Sequence, residues 1–203
     1  MNNYWENRSI ESIGRMESVV NGEIPALVKS FEQAKRDLNN EVYKFYAKYA
    51  VNNKITLEEA SKILSPIEMF EFKGDIKAYE QLARASIGTF NLKVSNLSVK
   101  AQITRLQALY MQNDVILSKL YAEQKKQIVG TATDVFNLQY YHQLFDIEQY
   151  VGFQFEFSKP ATSVIEQVLK QPVYNADISQ HLWKQQIDCG SKIRSTLMNM
   201  LVT

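Results

Sequence analysis

The sequence predicts a mainly α-helical protein with one short β segment, and three observations carry that reading. Seven glycines and four prolines among 203 residues leave few places to turn, so the elements between them must be long. Strands seldom exceed about ten residues, so long elements are helices. Apolar residues recur at three- and four-residue steps along most of the chain. Hydrophobic residues make up 45% of the composition, an ordinary globular share that argues against a largely disordered chain.

The elements follow in order. Ile10, Ile13, Met16, Val19 and Val20 share one helical face, predicting a first helix over residues 5–20. Asn21-Gly22 is a plausible stop, because both residues tolerate positive φ. Pro25 suits the first turn of a second helix, where its missing N–H costs nothing. Leu27, Phe31, Ala34, Leu38, Val42, Phe45, Tyr46 and Tyr49 then form an apolar stripe reaching about Ala50. Residues 51–54 read as a turn. Thr56-Leu57-Glu58-Glu59 fits a reciprocal capping box, with Glu59 reaching back to the cap amide. The short helix it opens runs to Leu64 and is interrupted at Ser65-Pro66. Gly74 is expected to break what precedes a further helix over residues 79–86. Residues 91–99 read as a loop with a cap at Asn96 or Ser98.

The clearest periodicity comes next. Ile103, Leu106, Tyr110, Leu117 and Leu120 fall in one row, widened by Leu109, Val115 and Ile116. Asn113 in that row either sets a register or marks a half-exposed face. The row extends through Ile128, Val135, Leu138, Tyr141 and Phe145, with a kink or break expected near Gly130 and its threonines. Residues 151–157 alternate apolar and polar, placing Phe153, Phe155 and Phe157 on one face of a strand. Pro160 begins a helix to Leu169. Asp177-Ile178-Ser179-Gln180 is a second capping box, opening a final helix with Leu182, Trp183, Ile187, Ile193, Leu197 and Leu201. Trp183 is expected in the core, and Gly190 is a point of bending. Three regions result: a long N-terminal helical region over 1–50, short helices and loops over 51–95, and a helical body with a short strand over 96–203. The last stripe stops at Thr203 without a cap, which reads as the front part of a longer protein or one trimmed to its ordered portion.

Charge and chemistry narrow the function classes. The net charge of +1 gives no global pull toward nucleic acid or anionic lipid. Basic residues do gather between Lys93 and Lys126, and residues 127–157 carry only acidic charge. The two segments either pair with each other or leave a basic patch for a partner. A single cysteine, Cys189, excludes an intrachain disulfide and a thiolate cage, and reads as a structural thiol. No apolar run reaches the roughly 18 residues of a membrane span, and no signal peptide opens the chain. Phosphate-cradling glycine loops and a nucleophile elbow are missing. His142 and Asp146 share a helical face with Glu148 nearby, but two ligands without a third histidine make a weak metal signal. His181 stands alone. These residues point to no catalysis and no cofactor.

One ordered set of features does resemble a known family. Tyr4-Trp5-x-x-Arg8 opens the chain, and a long helix ends in Phe45-Tyr46-Ala47-Lys48-Tyr49-Ala50. The Thr56-Leu57-Glu58-Glu59-Ala60 helix follows. Ile103-Thr104-Arg105-Leu106-Gln107-Ala108-Leu109 is the most specific stretch. Then come Tyr140-Tyr141, the phenylalanine-rich segment to Ser158, and Trp183 ahead of Gly190. In this order they resemble the minor head, or head-morphogenesis, proteins of tailed bacteriophages of Gram-positive hosts, relatives of the F protein of phage Mu. The resemblance covers essentially the whole chain and corresponds to the family's N-terminal helical region.

The resemblance implies a non-enzymatic virion component present in few copies. Such a protein sits in the phage head interior near the portal vertex, passes through the host cytoplasm during assembly, and influences genome packaging or delivery. It implies the portal protein as partner, with several copies around a portal ring, and capsid or scaffolding protein and double-stranded DNA as further partners. The alternative is a DNA-binding protein ejected with the genome. Candidate partner-binding residues are Tyr4, Trp5, Arg8, Arg105, Phe153 and Phe155, because tryptophan, tyrosine and arginine dominate interface energetics. Candidate DNA contacts are Lys100, Lys119, Lys125 and Lys126.

Overall fold

The computed structural model describes residues 2–87, 102–154, 158, 160–172 and 176–201. Among them the fold is mainly α, built from α1 (Asn2–Tyr49), α2 (Leu57–Ser61), α3 (Pro66–Ile87), α4 (Arg105–Val151), α5 (Thr162–Leu169) and α6 (Ile178–Met200). The chain divides into two compact units. The first holds Met1–Lys29 and Gln124–His181, and the second holds Ser30–Glu123 and Leu182–Thr203.

Helices are longer than the local signals predict. α1 does not stop at Asn21-Gly22 but continues through Pro25. Pro25 removes the bond that would satisfy the Asn21 carbonyl. Residues 21–26 are all exposed, so that carbonyl faces water. Gly74 does not break α3, which runs unbroken from Pro66. α4 passes through Gly130 without interruption. There the Thr131 and Thr133 hydroxyls donate to the carbonyls of Gln127 and Val129, at 3.0 and 2.8 Å, and so stay compatible with a helix. A glycine costs a helix only about 1 kcal/mol, which packing along the rest of the element outweighs.

Among the described residues the expected β segment is not formed. Val151 is the last residue of α4, and Gly152 adopts φ of 75° with its N–H donating to the Glu148 carbonyl at 2.8 Å. That is a left-handed helix stop, and it uses the glycine that the alternating pattern had placed inside a strand. Phe153 follows it in irregular, exposed chain, while Phe155 and Phe157 lie outside the described residues. The caps proposed at Asn96 or Ser98 also lie outside them.

The second unit holds most of the buried apolar side chains. The first half of α4 is buried on two sides, against different partners. Leu106 and Leu109 pack with Phe45, Ile55, Ala60 and Leu197, while Ile103, Ala108 and Val115 pack with Leu64, Phe72 and Ile76. This explains why its apolar row reads as unusually wide: a helix packed on two sides needs a broad apolar stripe. Turns are tight. Asn52 and Asn53 both take positive φ, and Val51 and Lys54 exchange backbone bonds across them, a two-residue hairpin turn of the primed type. α6 lies antiparallel to α4 in this unit: Gln186 donates to the Ser118 hydroxyl at 2.8 Å, and Arg194 pairs with Asp114. α6 runs through Gly190 without interruption. That glycine is buried, and a Cβ there would sit 3.6 Å from Asp114 and Leu117.

The first unit pairs residues 2–29 of α1 antiparallel with the second half of α4, and it also contains α5. Trp5 meets Tyr150 at 5.2 Å between ring centres, Arg8 pairs with Asp146, and Ser12 bonds Gln139.

Candidate partner-binding surfaces

The motif that reads as most specific, residues 103–109, has a complete internal explanation. Thr104 caps α4: its hydroxyl accepts from the Gln107 amide at 3.2 Å, and the Gln107 side chain accepts from the Thr104 amide at 3.0 Å. This is a reciprocal capping box. Ile103, Leu106, Ala108 and Leu109 are buried. Arg105 turns inward, with a side chain 16% exposed. Its guanidinium pairs with Glu59, reaches Glu68 at 3.0 Å, and lies 4.3 Å from the centre of the Tyr49 ring. Its backbone N–H donates to the Lys62 carbonyl at 2.9 Å. Arg105 therefore ties α4 to α1, α2 and α3, and offers a partner little surface.

The acids around Arg105 are set by caps. Ser65 opens α3 as a second reciprocal box, its N–H donating to Glu68 at 2.7 Å and its hydroxyl accepting from the Glu68 amide at 3.3 Å. Burial raises the proton affinity of Glu68. The Ser65 amide and hydroxyl, the adjacent Tyr49 hydroxyl and Arg105 overcome it and bring the carboxyl down to about 2. Burial and the neighbouring Glu68 push the Tyr49 phenol well up. Thr56 caps α2 as expected, accepting from the Glu59 amide at 3.1 Å. The Glu59 carboxylate is held by Lys62 and Arg105, in place of the expected reach back to the cap.

In the first unit, Tyr4, Trp5 and Arg8 come together along one edge of α1. Tyr4 and Trp5 stack edge to face at 5.2 Å, and both are more than two-fifths exposed. Arg8 reaches Asp146 at 2.7 Å through Nε and lies 5.9 Å from the Phe145 ring centre. About two turns further along α1, an Arg15 Nη donates to His142 Nε2 at 2.5 Å. His142 and Asp146 thus face two arginines, one each, and do not converge on a shared point. Among the described residues no group of three or more His, Cys, Asp or Glu is arranged to hold a metal ion. Ile10, Ile13, Tyr141, Phe145 and Tyr150 remain exposed on the same two helices.

The remaining candidates are dispersed. Lys119 is half-buried and sits 3.9 Å from Glu123. Lys125 and Lys126 are exposed, and Lys100 lies outside the described residues. Charged residues of the two segments have partners within their own units: Arg105 takes Glu59 and Glu68, Asp114 takes Arg194, and Asp146 takes Arg8. Trp183, expected in the core, is 66% exposed on α6. Its neighbour Leu182 is the buried one, because the helix turns that face toward the core. Cys189 is half-buried beside Tyr121.

Sequence reasoning missed two capping boxes that were present as Ser-x-x-Glu and Thr-x-x-Gln patterns, at Ser65 and Thr104. Of the two readings of Asn113, the half-exposed face is the one that fails, because the residue is buried. No helix among the described residues is long and apolar enough to cross a membrane. The chain matches no protein-family model, no curated protein and no solved structure.

Proposed function

We propose that this chain is a helical binding component of a tailed-phage head, a minor head protein that docks on the portal and influences genome packaging or delivery. The observation that carries a binding role is the exposed apolar surface of the first unit. Trp5, Ile10, Ile13, Tyr141, Phe145 and Tyr150 stand on paired helices, with Arg8 among them. Solvent-facing clusters of this size and aromatic content are the usual mark of a protein interface. The portal as the partner rests on the family resemblance of the whole chain. Co-expression with a tailed-phage portal protein from the same genome, followed by size-exclusion chromatography with mass determination at low and high salt, tests the reading. Co-elution that survives high salt is expected. Its loss at every salt concentration overturns the portal assignment.

A second reading, contact with double-stranded DNA, is favoured by one feature: Lys125 and Lys126 are exposed and form no ion pair among the described residues. It requires binding that falls steeply with salt and weakens when both lysines are reversed to glutamate.

A further inference from the structure

We infer that the groove between α1, α4 and α6 of the second unit seats an amphipathic helix from a partner protein, with acidic flanks and a side-chain amide on its buried seam. The inference rests on the reading of the chain as a binding component, but not on the partner being the portal.

The groove has a volume of about 470 Å³ and is walled mainly by apolar side chains, among them Leu38, Val42, Leu117 and Ile193. Its walls run from Phe31 to Val42 on α1 and from Cys189 to Met200 on α6. Each wall is about three turns, or roughly 16 Å, of helix. Two helices flanking a third, with a trough of that length between them, leave the place that a fourth helix fills in a bundle. The walls are helical, with their backbone groups internally bonded, so an extended peptide finds no strand edge to join.

Asn113 is the second observation. It lies in the groove wall, is 3% exposed, and has no hydrogen-bond partner for either its amide nitrogen or its amide oxygen. Buried amides left unpaired are costly, so this one calls for a partner that both donates and accepts. An asparagine or glutamine on the seam of an incoming helix does both. A carboxylate amphiphile only accepts, and leaves the Asn113 oxygen stranded.

The rim supplies the charge. Lys35 on α1 and Lys192 on α6 are the only charged residues in the lining, and neither forms an ion pair among the described residues. They complement aspartate or glutamate on the flanks of the occupant and oppose lysine or arginine there.

The probe is a synthetic helical peptide of about three heptads, with leucine at the seam, one central asparagine and glutamate on the flanks. Its binding to the full chain is followed by fluorescence anisotropy. Saturable binding is expected, about tenfold weaker for the Lys35→Glu, Lys192→Glu double variant. That double variant should in turn prefer the same peptide with lysine flanks. Asn113→Leu should weaken the asparagine peptide and strengthen its all-leucine counterpart. Both lysines are on the surface, and thermal melts of each variant separate lost binding from lost folding. Equal affinity for glutamate- and lysine-flanked peptides overturns the proposal, as does an Asn113→Leu effect that is the same for both seams. Self-association of the chain abolished by the double variant would assign the groove to a second copy and overturn it as well. Binding of dodecanoate without binding of any peptide has the same consequence. Because the portal is absent from this assay, failure here and failure of portal co-elution are read separately.

Discussion

Arg105 and Glu68 are charged residues held inside the second unit, and what they do there is measurable. Truncating Arg105 to alanine strands Glu59 and Glu68 in a partly enclosed site, so the expected loss of stability is about 2–3 kcal/mol, read as a shift in the urea midpoint. Arg105→Lys should recover only part of it, because an ammonium cannot reach both carboxylates and lie over Tyr49 as the planar guanidinium does. Glu68 adds a pH dependence. Its carboxyl is depressed from 4.5 to about 2 in the folded state, so folding favours the anion. The associated stability is fully present above about pH 4.5 and is lost as the pH falls through 2. It amounts to up to about 3 kcal/mol. Urea midpoints measured between pH 6 and pH 2 should fall along this limb, and Glu68→Gln should flatten it. The arginine was legible in the sequence as part of a distinctive stretch. Its inward direction was not, because both carboxylates come from segments 37 to 46 residues away.

At the scale of elements, local breakers were overread. Gly22, Gly74 and Gly130 sit in helix interiors with open space where a Cβ would go. Alanine at each should therefore stabilise the protein by about 0.5–1 kcal/mol, seen as higher melting temperatures. Pro25→Ala should do more, up to about 3 kcal/mol, because it also restores the bond to the Asn21 carbonyl. A fall in stability on that substitution would mean that the proline has a packing role beyond the helix. Gly190 is different in kind. Its virtual Cβ meets neighbours at ordinary contact distance, so alanine fits but a larger residue such as leucine should push α6 from α4. Capping was legible at Thr56 and Asp177 and missed at Ser65 and Thr104, although all four carry the same pattern. The proline after Ser65 is no mere interruption but the first residue of α3, where proline is well tolerated.

For the whole molecule, burial is unevenly shared. Of the buried apolar side chains among the described residues, only Ile165 belongs to the first unit. The second unit should then hold the slowest-exchanging amides. Residues 105–123 of α4 should be protected far longer than residues 124–151 of the same helix in native-state hydrogen exchange. Uniform protection along α4 would show that the first unit is as stable as the second. Addition of the portal protein should slow exchange in the first unit selectively if Trp5, Tyr141 and Tyr150 are covered by it.

The sequence by itself determined the helical class, the long apolar rows, the caps at Thr56 and Asp177, and a turn over residues 51–54. These are properties of neighbours three or four residues apart, and period and turn chemistry report them directly. Only the tertiary structure decided that helices run through Pro25, Gly74 and Gly130, that Trp183 faces out and Arg105 faces in, and that Asn113 is buried without a partner. Each of those outcomes depends on which distant segment lies against a helix face. A local cost of about 1 kcal/mol at a glycine, or about 3 at a proline, yields to packing distributed along a whole element.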